Sequence, residues 1–89
     1  MRFYLVSYDL RKPDYDYQPL YDELEKLGAN RVQESVWMLC SNRMALDIHS
    51  ALWGQMDSTR DRLLVIEVRH HFSSRNAITK IKPLSDACE

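Results

Sequence analysis

Asp9 closes a run of strand-forming residues, Phe3-Tyr4-Leu5-Val6-Ser7-Tyr8, one step before the chain turns through Leu10-Arg11-Lys12-Pro13. A carboxylate held partly buried at the end of a rigid strand suits a hard divalent cation such as Mg2+, or a general base. One carboxylate does not hold Mg2+ unaided, and an aspartate at a turn commonly bonds turn amides instead. Two copies of Asp9 meeting across a dimer axis would complete a metal site.

Other residues offer weaker chemistry. Arg11, Lys12 and Arg31 can position a phosphate backbone, although an arginine opening a strand is more often solvated or ion-paired. Ser35 has no histidine at an informative spacing, so a nucleophilic arrangement is unsupported; its expected role is to bond backbone at a bulge between strands. Trp37 could stack a base, but inside an apolar run a tryptophan is first expected in a core or dimer interface, and Trp53 reads the same way. His70 and His71 alternate sides in a strand and are expected at the surface. Cys40 and Cys88 belong to no CxxC pair and, with three scattered histidines, supply no zinc site. They are expected as a half-buried strand thiol and a loose terminal one.

The elements that must position these groups follow from pattern. In residues 2–10, Phe3 and Leu5 face one way and Tyr4, Val6 and Tyr8 the other, so the first strand is apolar on both sides, as a covered central strand is. Asp16 reads as a helix N-cap with Pro19 tolerated in the first turn. Leu20, Leu24 and Leu27 recur at helical spacing with Tyr17 and Tyr21 widening the stripe, and Gly28 ends the helix in a left-handed conformation. Residues 30–40 read as two short strands, or one bent strand, interrupted at Gln33-Glu34-Ser35. Ser41-Asn42 offer caps for a second helix through Met44, Ala45, Ile48, Ala51 and Leu52, ending near Gly54. A polar loop, Asp57 to Asp61, precedes an apolar run within Arg62 to Arg69, expected as a buried strand. Ile78, Ile81 and Leu84 fit either a last short strand, exchanged across a dimer, or a helical turn.

Strand–helix–strand–strand–helix–strand is the split βαβ order of an α+β ferredoxin-like sheet with two helices on one face. The bare face then needs cover, and a homodimer through it is the simplest supply. Residues 1–70 form this domain and 71–89 a basic C-terminal extension. With 89 residues the chain holds one core. No apolar stretch approaches the roughly 20 residues of a membrane span, and Met1-Arg2-Phe3 runs into strand without a signal-peptide cleavage pattern, so the cytoplasm is expected. The net charge of −1 decides nothing about nucleic acid, but its distribution is uneven: residues 1–30 carry six acids against four bases, and 68–85 carry no acid.

Two segments together resemble a known family. Val6-Ser7-Tyr8-Asp9-Leu10 and Arg31-Val32-Gln33-Glu34-Ser35-Val36-Trp37 are similar to the two signatures of CRISPR-associated Cas2 proteins: an apolar strand ending in Tyr-Asp, a helix, then Arg-x-Gln-x-Ser-Val and an aromatic. Asp57-Ser58 ahead of Leu63–Val68 resembles the family's closing strand, and the match runs in order over most of residues 2–70. The resemblance implies a ferredoxin-like homodimer with the Asp9 pair across the two-fold axis. It implies one of two roles: an endonuclease using Mg2+ to hydrolyse RNA or double-stranded DNA, or a non-catalytic adaptor that bridges an integrase on DNA during spacer acquisition. A stand-alone RNA-cleaving, toxin-like relative is a third. Asp9 matches the metal position, and Arg31, Ser35 and Trp37 match motif positions near the same edge. The departure is the first helix and its approach, which carry Asp14, Asp16, Asp22, Glu23 and Glu25 where many members are basic.

Overall fold

The computed structural model describes residues 1–89. Strands β1 (Arg2–Asp9), β2 (Asn30–Gln33), β3 (Val36–Ser41) and β4 (Arg62–Glu67) alternate with helices α1 (Gln18–Lys26) and α2 (Ala45–Trp53), and a third helix, α3 (Ile81–Ala87), closes the chain. The sheet is antiparallel in the order β2-β3-β1-β4, with β1 between β3 and β4. This is the ferredoxin-like α+β order expected from the sequence. The interrupted segment resolves into two strands, β2 and β3, joined through Glu34-Ser35, with a register irregularity between Arg31 and Gln33.

Local chemistry explains the helix ends, with some shifts. Tyr17, not Asp16, occupies the N-cap of α1, but the Asp16 carboxylate still accepts the Gln18 N–H at 3.0 Å, so the expected oxygen reaches an orphan donor from one position earlier. Gly28 takes φ +84°, the left-handed conformation that ends α1. The caps proposed for α2 fall short of it: Ser41 Oγ accepts from Arg43 N–H at 3.0 Å within the preceding turn, and Met44 is the N-cap, without a side-chain bond.

The two faces of β1 separate as the alternation requires. Tyr4, Val6 and Tyr8 join Leu20, Leu24, Trp37, Leu39, Ile48, Leu52 and Met56 in the main core under α1 and α2. Burying such a leucine or isoleucine contributes roughly 2–3 kcal/mol. On the other face Phe3, Val32, Met38 and Cys88 form a second cluster, with Ile81 and Leu84 of α3 packed against it. The last segment is therefore a helix, and it folds back over its own sheet. Ile78 N–H also bonds Val32 C=O at 2.9 Å, tying the segment ahead of α3 to the β2 edge.

Three expectations are corrected here. Cys40 and Cys88 are not separate thiols: they are joined in a disulfide, Cα–Cα 5.5 Å, which fastens the end of α3 to β3. The sequence pairs them poorly because 48 positions intervene, and only the return of α3 brings them together. The run in β4 is not wholly buried: Leu63 and Val65 face the main core, whereas Leu64 and Ile66, on the other face, are 54% and 46% exposed. The bare face is thus half covered by the chain's own α3 and half open. His70, expected at the surface, stacks on Phe3 with ring centres 5.4 Å apart and sets Nδ1 against the Ser85 hydroxyl of α3. No helix is long and apolar enough to cross a membrane.

A candidate nucleic-acid and metal site at the end of β1

β1 delivers Asp9 to the sheet end opposite α3, and its register there is fixed by pairing with Arg62 of β4. The carboxylate is not partly buried as expected; its side chain is 62% exposed and pairs with Arg62 Nη1 at 3.5 Å. As the last residue of β1, it stands clear of both hydrophobic clusters. Such an exposed pair contributes little to stability, which leaves the carboxylate available. Nowhere do three His, Cys, Asp or Glu side chains gather as a metal set, so one chain alone does not hold Mg2+.

The expected site residues divide. Asp9, Arg11 and Ser35 line one open cleft of about 450 Å3, with Tyr8, Leu10, Tyr21 and Glu34. Ser35 serves the backbone as anticipated, its C=O accepting the Tyr8 N–H at 3.2 Å, though in the β2–β3 turn rather than at the irregularity itself. Lys12 lies outside this lining, with Nζ 5.5 Å from the Tyr15 ring centre. Arg31 is neither solvated nor ion-paired. Its guanidinium lies 4.8 Å from the Tyr21 ring centre and 4.9 Å from that of Trp37, and Nη2 donates to the Tyr8 hydroxyl at 3.1 Å. Its Nε–H has no partner. Burial acts first to disfavour its charge, but the Tyr8 hydroxyl outweighs this, and the pKa moves up.

Sequence reading missed two residues that build the site. The Tyr8 hydroxyl also accepts Trp37 Nε1–H at 3.0 Å and faces Glu34 C=O at 3.4 Å, so one oxygen braces the wall between β1 and the β2–β3 turn. Asp61 sits buried at 6% exposure beneath the turn after β1. It accepts Arg11 N–H at 2.8 Å, the Tyr17 hydroxyl at 2.6 Å and Asp57 N–H at 2.8 Å, which locks the turn carrying Arg11 and Lys12 onto the loop before β4. Burial alone would raise the Asp61 pKa; the bonds from Arg11, Tyr17 and Asp57 and the Lys12 charge bring it below the ordinary 3.8. Burial, then the bond to Asp61, push the Tyr17 hydroxyl up to about 12.

With this geometry in place, the comparisons are specific. The family model of CRISPR associated protein Cas2 matches residues 1–75. The chain belongs to the Cas2 family. The fold also resembles a hypothetical protein, TT1823, from Thermus thermophilus, with TM-score 0.60 and 29% identity over 75% of this chain and 80% of that one. The Cas2 match takes in β1 to β4 and the cleft around Asp9, and stops short of α3, which begins at Ile81. Family membership supports a CRISPR-associated function for this Cas2 protein.

Proposed function

We propose that the chain acts as a homodimer that binds duplex nucleic acid, DNA or RNA, in a CRISPR system, its two sheets meeting through the open face. The observation that carries this reading is the exposure of Leu64 and Ile66 beside Asp9 on one face of an otherwise packed sheet. Facing strands would remove these apolar side chains from water and bring the two Asp9 carboxylates toward the axis. Arg11 and Lys12 of each copy would then contact phosphate. Ser35 lines the same cleft, and Arg31 stiffens its wall rather than reaching out.

The acidic approach to and face of α1 keeps the footprint small. Four phosphates neutralised by Arg11 and Lys12 of two copies give a slope of log Kobs against log salt of about −3.6. Leu64→Asp should yield a folded monomer with duplex affinity reduced by at least about tenfold, since one contact patch is lost from two. A monomer binding a duplex with wild-type affinity and slope overturns the reading.

A second reading adds chemistry to the same dimer. The single-chain donor set does not fit Mg2+, but paired Asp9 carboxylates supply two hard oxygen ligands of the kind it accepts with waters. Bound there, the cation would supply an activated water and neutralise charge at the scissile phosphate. Arg62 must release Asp9 for this to occur, and Arg11 would hold the phosphate backbone. Asp9→Ala should then abolish Mg2+-dependent cleavage of RNA or duplex DNA; cleavage at the wild-type rate in matched preparations removes Asp9 from the reaction. The Asp9–Arg62 pair favours the non-catalytic alternative, an adaptor docking an integrase subunit, in which Asp9→Ala leaves binding intact.

A further inference from the structure

The face left open for self-association is smaller than the apolar face the sheet possesses. Along β1, Phe3, Leu5, Ser7 and Asp9 share this side, but only the end from Leu5 to Asp9 is free; α3 and the Phe3–Val32–Met38 cluster beneath it occupy the rest. Three ties hold α3 there: the Cys40–Cys88 disulfide, the contact of His70 Nδ1 with Ser85 Oγ, and the packing of Ile81 and Leu84. With 7 residues, α3 is too short to persist as a free helix. Its docked state therefore depends on these ties.

We propose that α3 is a redox-gated cover over the self-association surface, released when Cys40–Cys88 is reduced by a dithiol. Cys88 is 2% exposed and Cys40 half-buried, so the incoming thiolate meets Cys40 Sγ. A mixed disulfide forms at Cys40 as the Cys40–Cys88 bond breaks and Cys88 leaves as a thiolate. The second reductant thiol then displaces Cys40. Two electrons and two protons end on the two cysteines, and the reductant departs as its own disulfide. Freed of its covalent tie, α3 uncovers Phe3, Val32 and Met38, continuous with Leu5, Leu64 and Ile66, and a second copy gains a larger apolar surface to bury.

This inference rests on the homodimer reading, and the test separates the two. Full-length protein is prepared oxidised with diamide and reduced with dithiothreitol. Thiol alkylation and intact mass report the bond, amide exchange reports α3, and sedimentation reports the dimer. Reduction should speed exchange across residues 81–88 by at least about tenfold and tighten the dimer Kd by a similar factor. Cys40→Ser and Cys88→Ser should match the reduced protein whatever the oxidant. Should these variants fail to fold, the oxidised and reduced wild-type pair still decides. Equal dimer affinity in both states, or two free thiols after diamide, overturns the gate and leaves the dimer standing. A monomer in both states, with α3 released on reduction, overturns both.

Discussion

Asp61→Ala should lower stability by about 3 kcal/mol, because it strands three donors that nothing else satisfies. Arg11 N–H, the Tyr17 hydroxyl and Asp57 N–H all converge on this one buried carboxylate. For a domain of this size that is a fall in Tm of roughly 10–20 °C, read by calorimetry. The same group sets a pH dependence at each end. The folded Asp61 pKa lies below its ordinary 3.8, so its contribution is present above that value and is lost as pH falls through the lower folded one. Tyr17 runs the other way: its folded pKa of about 12 exceeds the ordinary 10.0, so its contribution is complete below pH 10 and disappears as pH rises from 10 to 12. Asp61→Ala should flatten the alkaline limb, since it removes the acceptor that helps keep Tyr17 protonated. A limb unchanged in denaturant melts at pH 9 and 11, values chosen to bracket roughly the free tyrosine pKa, would detach the two groups.

The second large effect belongs to the aromatic wall. Tyr8→Phe keeps the ring but deletes the oxygen that receives Arg31 Nη2 and Trp37 Nε1. Trp37 is 5% exposed and Arg31 already carries one unpaired N–H, so two further donors would lie without partners. The expected loss is about 2–3 kcal/mol. Arg31→Met should cost less, because it removes the charge along with its unmet bonds and leaves an unbranched side chain against Tyr21 and Trp37. Urea unfolding of the two variants provides the ranking. If Arg31→Met proves the more damaging, the stacking of the guanidinium on the two rings outweighs the orphaned donors.

Much of the frame was legible because its signals are local. The two-sided alternation of β1, the leucine spacing of α1 and the glycine that ends it each depend on neighbours within a few positions, and each appears as read. Asp9 was placed correctly in the chain yet wrongly in its surroundings: strand patterning locates a terminal carboxylate but says nothing of whether later segments will bury it. Asp61 looked like one polar residue in a polar loop, and its burial arises only when the turn after β1 and the loop before β4 meet. The apolar run of β4 reads the same whether a helix, a partner or water lies over Leu64 and Ile66. Arg31 was taken for a surface cation because its companions, Tyr8, Tyr21 and Trp37, come from three different elements.

The disulfide has one more consequence, for how the molecule may be handled. It places Cys88 against β3, and the Cys88 sulfur also contacts Arg2 C=O at 3.4 Å, so the first and last residues of the ordered chain are neighbours. The polypeptide is thereby nearly a closed ring. Its two ends share one pole of the sheet, separated from Asp9 by the length of β1, about 23 Å at strand rise. A label, surface tether or fusion partner attached at either terminus would sit beside the other terminus and away from the Asp9 cleft. A short linker joining the ends would let the ring be opened elsewhere, at an exposed loop tip such as Ser58-Thr59.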